Sequence, residues 1–143
     1  MIIRLALPSD AAAVSTLSTQ LGYPIYPQET EARLRDVLDR PDGAVLVAEE
    51  EGEVVGWIHV LGHHSIETEP FALIAGLVVD ETRRSRGIGA SLVEAAAEWA
   101  AGQGYHAIRV RSNVVRERAH AFYERLGFSR AKSQVVFVKR LDR

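Results

Sequence analysis

The chain contains no cysteine, which excludes disulfides, thiolate–zinc sites and any acyl-enzyme formed on a thiol. It also lacks an apolar run long enough to span a bilayer. The segment Met1–Pro8 is too short for a signal peptide and reads as a strand, so a cytoplasmic location and no membrane partner are expected. Excess charge is small: 17 basic against 19 acidic residues leave a net charge of −2, which gives no general attraction to nucleic acid. Arg109, Arg111, Arg116 and Arg118 form too short a basic set, in too balanced a chain, to overturn that. Five histidines are present, but His63 and His64 are adjacent and no pair has i, i+4 spacing on a helix, so no metal site is expected.

What remains is a globular balance, 47% apolar and 25% charged over 143 residues, enough for one domain over 1–143 with its own core. Ile2–Ala6 reads as a strand, and Pro8-Ser9-Asp10 opens a helix with Ser9 or Asp10 as N-cap. Gly22 is placed to end that helix. Two prolines keep Tyr23–Pro27 out of a helix interior; the segment is either a rigid connector or part of a binding surface. A second helix is expected over Glu29–Asp39, burying Leu34, Val37 and Leu38. Strands at Ala44–Glu49 and Glu53–Leu61 flank a hairpin turn at Glu51-Gly52. Phe71–Val79 is apolar on both faces, as in a central strand. A helix over Gly87–Ala101, a strand over Ala107–Arg111, a helix over Val115–Leu126 and a last strand over Gln134–Lys139 complete the pattern. This order predicts an α+β sandwich, with a mixed sheet of about six to seven strands flanked by four helices.

The most informative segment joins the apolar strand Gly76–Asp80 to the helix beginning near Gly87. Arg83, Arg84 and Arg86 stand there beside Gly87 and Gly89. Glycines let backbone N–H groups approach a ligand, and a helix N-terminus adds unpaired donors and positive dipole. Together they outline a phosphate site. A P-loop is excluded because no Lys-Ser/Thr pair follows the glycines. A dinucleotide fingerprint is excluded by Leu92 at the third small-residue position and by the late place of this strand in the chain.

The pattern Arg84-Ser85-Arg86-Gly87-Ile88-Gly89, with a later block Asn113 and Ala119-His120-Ala121-Phe122-Tyr123-Glu124-Arg125-Leu126-Gly127-Phe128, resembles the GNAT superfamily of acyl-CoA-dependent N-acetyltransferases. The element order resembles that family over essentially the whole chain. The resemblance implies that the strands Phe71–Val79 and Ala107–Arg111 splay into a cleft. Acetyl-CoA would lie in it, its pantetheine paired with the backbone of Leu77 and Val79. Its pyrophosphate would sit on Arg84, Ser85, Arg86, Gly87, Ile88, Gly89 and Ala90, and Asn113 would bond the pantetheine region. A backbone N–H near Leu77 or Val78 would stabilise the oxyanion when an amine attacks the thioester directly in a ternary complex. Tyr123 would protonate the departing sulfur, as a tyrosine hydroxyl is protonated at neutral pH.

The chain departs from the family where many relatives carry a glutamate on the central strand: that residue is Ala75. His59, His63, His64, Glu67 and Glu69 are the open candidates for the base. Glu29 and Glu31 would favour a cationic acceptor or simply be solvated helix-start residues. The acceptor implied is a primary amine, on a small molecule or a protein. A non-catalytic acyl-CoA-binding or sensor domain and a pure interaction module stay open beside the enzyme. Relatives are often homodimers, which the sequence does not decide.

Overall fold

The computed structural model describes residues 1–20, 26–83, 86–111 and 117–142. They fall into two compact units, Met1–Arg111 and Ser112–Arg143. The first holds a five-stranded mixed sheet in the order β1 (Ile2–Leu5), β2 (Gly43–Glu50), β3 (Glu53–His63), β4 (Phe71–Val79) and β5 (Ile108–Val110). Neighbours are antiparallel except β4 and β5, which run parallel. The β2–β3 hairpin turns through Glu51 (φ 50°) and Gly52 (φ 78°), the paired left-handed conformations that suit a two-residue hairpin loop.

Helices α1 (Ala11–Thr19) and α2 (Pro27–Leu38) cover one face of this sheet, and α3 (Ile88–Gly102) covers the other. On the first face Ala6, Ala11, Leu34, Val45 and Val47 form a buried cluster against which Val37, Leu38 and Trp57 pack. On the second, Gly56 lies beneath Leu92 and Ile88; both side chains are almost wholly buried. Pro27 is the first residue of α2, where its missing N–H costs nothing. Asp10 does not cap α1 with its side chain. Its carboxylate turns back instead to accept from Leu7 N–H at 2.7 Å and from Arg4 at 2.8 and 3.0 Å, tying the end of β1 to the helix start. Arg4 holds the Asp10 carboxyl below the usual carboxylate range.

The second unit contains α4 (Glu117–Arg125), closed by Gly127 at φ 94°, with Phe128 N–H donating to Tyr123 O at 3.1 Å. The strand expected over Gln134–Lys139 is not formed, so the sheet has five strands rather than six or seven. Val135, Val136, Phe137 and Val138 are 77–90% exposed. Their side chains suit a pleated surface, but a strand exists only where its backbone finds a partner, and among the described residues these have none.

Candidate active site

The parallel pairing of β4 with β5 is short. Ala72, Leu73 and Ile74 face Ile108, Arg109 and Val110, and the register goes no further among the described residues. β4 continues through Val79. On its other side the β3 register steps from Val60–Ile74 to His59–Gly76, leaving Ala75 as a bulged, exposed residue. A bulge bends and twists the strand that carries it, and this one falls one residue past Ile74–Val110, the last β4–β5 pair among the described residues.

The register also fixes which amides are free of β3. Asp80 N–H donates to Val55 O at 2.9 Å, and backbone groups alternate edges along a strand. Val78 and Gly76 therefore turn their amides toward β3, and Leu77 and Val79 turn theirs toward the opposite edge, on the β5 side. Beyond the strand, α3 begins behind Gly87, whose φ of 79° is left-handed, and no side chain caps its first turn. A Cβ on Gly87 would meet nothing within 4 Å among the described residues. Its first N–H groups are donors without intrahelical acceptors.

Of the three arginines at this turn, Arg83 is committed elsewhere: it pairs with Asp80 at 2.9 Å, Glu53 at 3.2 Å and Glu50 at 3.5 Å. Arg86 is exposed and has no ion-pair partner among the described residues. Arg84, Ser85 and Asn113 lie outside the described residues. Tyr123 stands on α4, with the rings of Phe122 and Phe128 edge-on to it at 5.0 and 5.6 Å. Among the described residues no group of three or more His, Asp or Glu side chains could hold a metal.

The candidate bases separate by position. His59 is opposite Gly76, next to the bulge, on the face of α1 and α2. Burial lowers its pKa, which keeps the imidazole neutral at physiological pH. His63 stacks on Phe71 at 4.6 Å. His64 contacts Asp42 at 3.0 Å and the Tyr105 hydroxyl at 3.2 Å. That hydroxyl donates to Asp42 at 2.6 Å and has its pKa pushed up to about 12. Glu67 and Glu69 are exposed. Glu29 and Glu31 pair with Arg33 and Arg35 one turn along α2, so they read as a solvated helix face.

Two features of the site are absent from the pattern of the sequence. One is the bulge, for which Gly76 inside an apolar strand was the available signal. The other is the seat of Trp57, whose ring occupies the space that a Gly76 side chain would fill.

A mixed sheet with a bulge in its central strand, a short parallel pair beside it and a glycine-led helix N-terminus beyond fits an acyltransferase of the GNAT type. The sequence profile of the acetyltransferase (GNAT) family matches residues 12–128, and the chain belongs to that family. It is 29% identical over 134 residues to YhfO, an uncharacterized N-acetyltransferase of Bacillus subtilis, covering 90% of this chain and 89% of that protein. The structure of a proposed acetyltransferase from Agrobacterium tumefaciens superposes with a TM-score of 0.87 at 28% identity, over 97% of this chain and 100% of that one. Aminoglycoside N-acetyltransferase AAC(6')-Iy in complex with CoA shares the fold, with a TM-score of 0.88 at 19% identity over 97% and 94% of the two chains.

Proposed function

We propose that this chain transfers the acetyl group of acetyl-CoA to a primary amine on a small molecule by direct attack in a ternary complex. The observation that carries this reading is the bulge at Ala75, one residue past the last described β4–β5 pair, with the amides of Leu77 and Val79 turned away from β3. The edge they face offers backbone pairing to an extended pantetheine arm. The turn ahead of α3 offers N–H groups of Gly87, Ile88, Gly89 and Ala90 and the side chain of Arg86 to a pyrophosphate. Arg84, Ser85 and Asn113 join them by family resemblance.

Acetyl-CoA supplies an activated thioester carbonyl. Around that carbonyl, Leu77 N–H is the donor we assign to the oxyanion, because Val78 N–H is turned to β3. His59 is the proton acceptor for the attacking amine, directly or through one water, since it flanks the bulge in register and is neutral. Ala75 leaves that task to it by offering no carboxylate. Tyr123 is the proton donor to the leaving sulfur by family resemblance. Nothing in this scheme calls for an anchor or a metal, and the reaction we propose is one of the cytoplasm.

Thiol release from acetyl-CoA in the presence of a panel of amines tests the reading without background, because the chain has no thiol of its own. Release dependent on an amine is expected. Gly89→Glu, which sets bulk and negative charge at the helix start, should abolish acetyl-CoA binding in calorimetry. Undiminished affinity in the folded variant would overturn the phosphate assignment.

A further inference from the structure

On the face of the sheet away from α3, one arginine is held in an unusual setting. Phe71 opens β4 and is 4% exposed. The His63 ring of β3 stacks on it at 4.6 Å with planes 23° apart. From the β5 side, the guanidinium carbon of Arg109 lies 4.0 Å from the centroid of the same ring. Arg109 itself is exposed, and no carboxylate among the described residues lies within ion-pair distance of it. Arg111, two residues on, is likewise exposed and without a carboxylate partner among those residues.

A cation–π contact of this kind spends none of the guanidinium's N–H donors on a hydrogen-bond acceptor. Those donors match a carboxylate or phosphate edge in bidentate fashion. The arginine is also pre-positioned, so little rotamer freedom is lost when an anion binds. Its place in the sheet is informative. Arg109 pairs with Leu73, two residues before the bulge at Ala75. His59 and Arg109 lie on the face of the sheet opposite α3, beside the exposed Ala75, so an amine seated at the bulge would have Arg109 on its side of the sheet.

We infer that the acceptor is an amine that also carries an anionic group, a carboxylate or a phosphate, and that Arg109 on its Phe71–His63 platform binds that group while the amine sits at the bulge. This rests on the acetyltransferase reading above. Arg109 is then a specificity-determining residue that selects against polycationic amines.

The test compares kcat/KM by thiol release for matched acceptors: amino carboxylates of several chain lengths, their methyl esters and amides, phosphorylated amines, and an aminoglycoside. The wild-type chain is expected to favour an acid over its ester by about ten- to a hundredfold, the range of one charged hydrogen-bond pair. The loss should fall on KM, with kcat little changed. Arg109→Met should erase the preference by raising KM for the acid alone, and Arg109→Lys, which keeps charge without the fork, should restore part of it. Carboxylate and phosphate series run side by side identify which anion is read. Equal or better turnover of esters or of the aminoglycoside, an unchanged preference in folded Arg109→Met, or no turnover of any anionic amine while acetyl-CoA binds would overturn this inference alone. Failure of acetyl-CoA to bind would overturn the acetyltransferase reading and this inference with it.

Discussion

Gly76→Ala is the substitution whose cost can be worked most directly from the structure. A Cβ built at Gly76 stands 2.7 Å from Trp57 Cη2 and 2.8 Å from Cζ3. Ordinary contact begins at 3.4 Å, so the ring edge must retreat by 0.7 Å or the β4 backbone must move. Trp57 has little room to do so, because it packs against the buried cluster of Ala6, Ala11, Leu34, Val45 and Val47. Its indole N–H has no acceptor among the described residues, so packing alone sets the ring's position. Overpacking of this kind costs about 1–3 kcal/mol, offset by about 0.5–1 kcal/mol from replacing glycine in a strand. The net is a loss of about 0–2.5 kcal/mol, centred near 1 kcal/mol, or a fall in Tm of about 4 °C at that centre for a domain this size. Gly102→Ala is the control of opposite sign. It lies at the end of α3 with nothing within 4 Å of its Cβ position, and alanine there should stabilise by up to about 1 kcal/mol. Thermal and urea unfolding of both variants check the pair, and a double-mutant cycle with Trp57→Phe should recover much of the Gly76→Ala loss as coupling. A Gly76→Ala chain that melts above the wild type would refute the seat of Trp57 on Gly76.

Two further outcomes concern pH. Asp10→Asn removes the negative charge and turns one of the two acceptor oxygens into a donor, so the bonds from Leu7 N–H and from Arg4 can no longer all be kept, and it should cost about 1–3 kcal/mol at neutral pH. Because the folded carboxyl titrates below its ordinary 3.8, the unfolded chain takes up the proton first. Wild-type stability should therefore drop as pH falls below 3.8, and urea titrations of the asparagine variant should lack that component. His59→Gln should lower kcat and remove an acid limb from the pH–rate profile, placed below 6.5 because burial lowers the pKa of the imidazole. The same depressed pKa makes stability fall as pH drops below 6.5, since only the unfolded chain is then protonated there. An unaltered acid limb in the glutamine variant would remove His59 from the proton path.

Local pattern carried a good part of the architecture. The apolar run Phe71–Val79 has the bounds of β4, the hairpin turns at Glu51 and Gly52, and α3 starts immediately after Gly87. In each case the determinant lies within a few neighbours: side-chain alternation, a residue tolerant of positive φ, or a helix start. The Gln134–Lys139 strand failed on the same logic, because propensity describes one chain segment and pairing needs two.

The glycine-rich turn and the Phe-Tyr-Glu block, read in chain order, already determined the family, since motif and spacing are properties of the chain alone. The functional geometry was decided elsewhere. The step in register that bulges Ala75, the seat of Trp57 on Gly76, the place of His59 beside the bulge, and the packing of His63 and Arg109 on Phe71 each depend on how β3, β4 and β5 lie side by side. Arg109 stands far along the chain from the Phe71 ring it covers. Such contacts arise only when burial of apolar faces on both sides of a sheet selects one register from many, and no local pattern contains that choice.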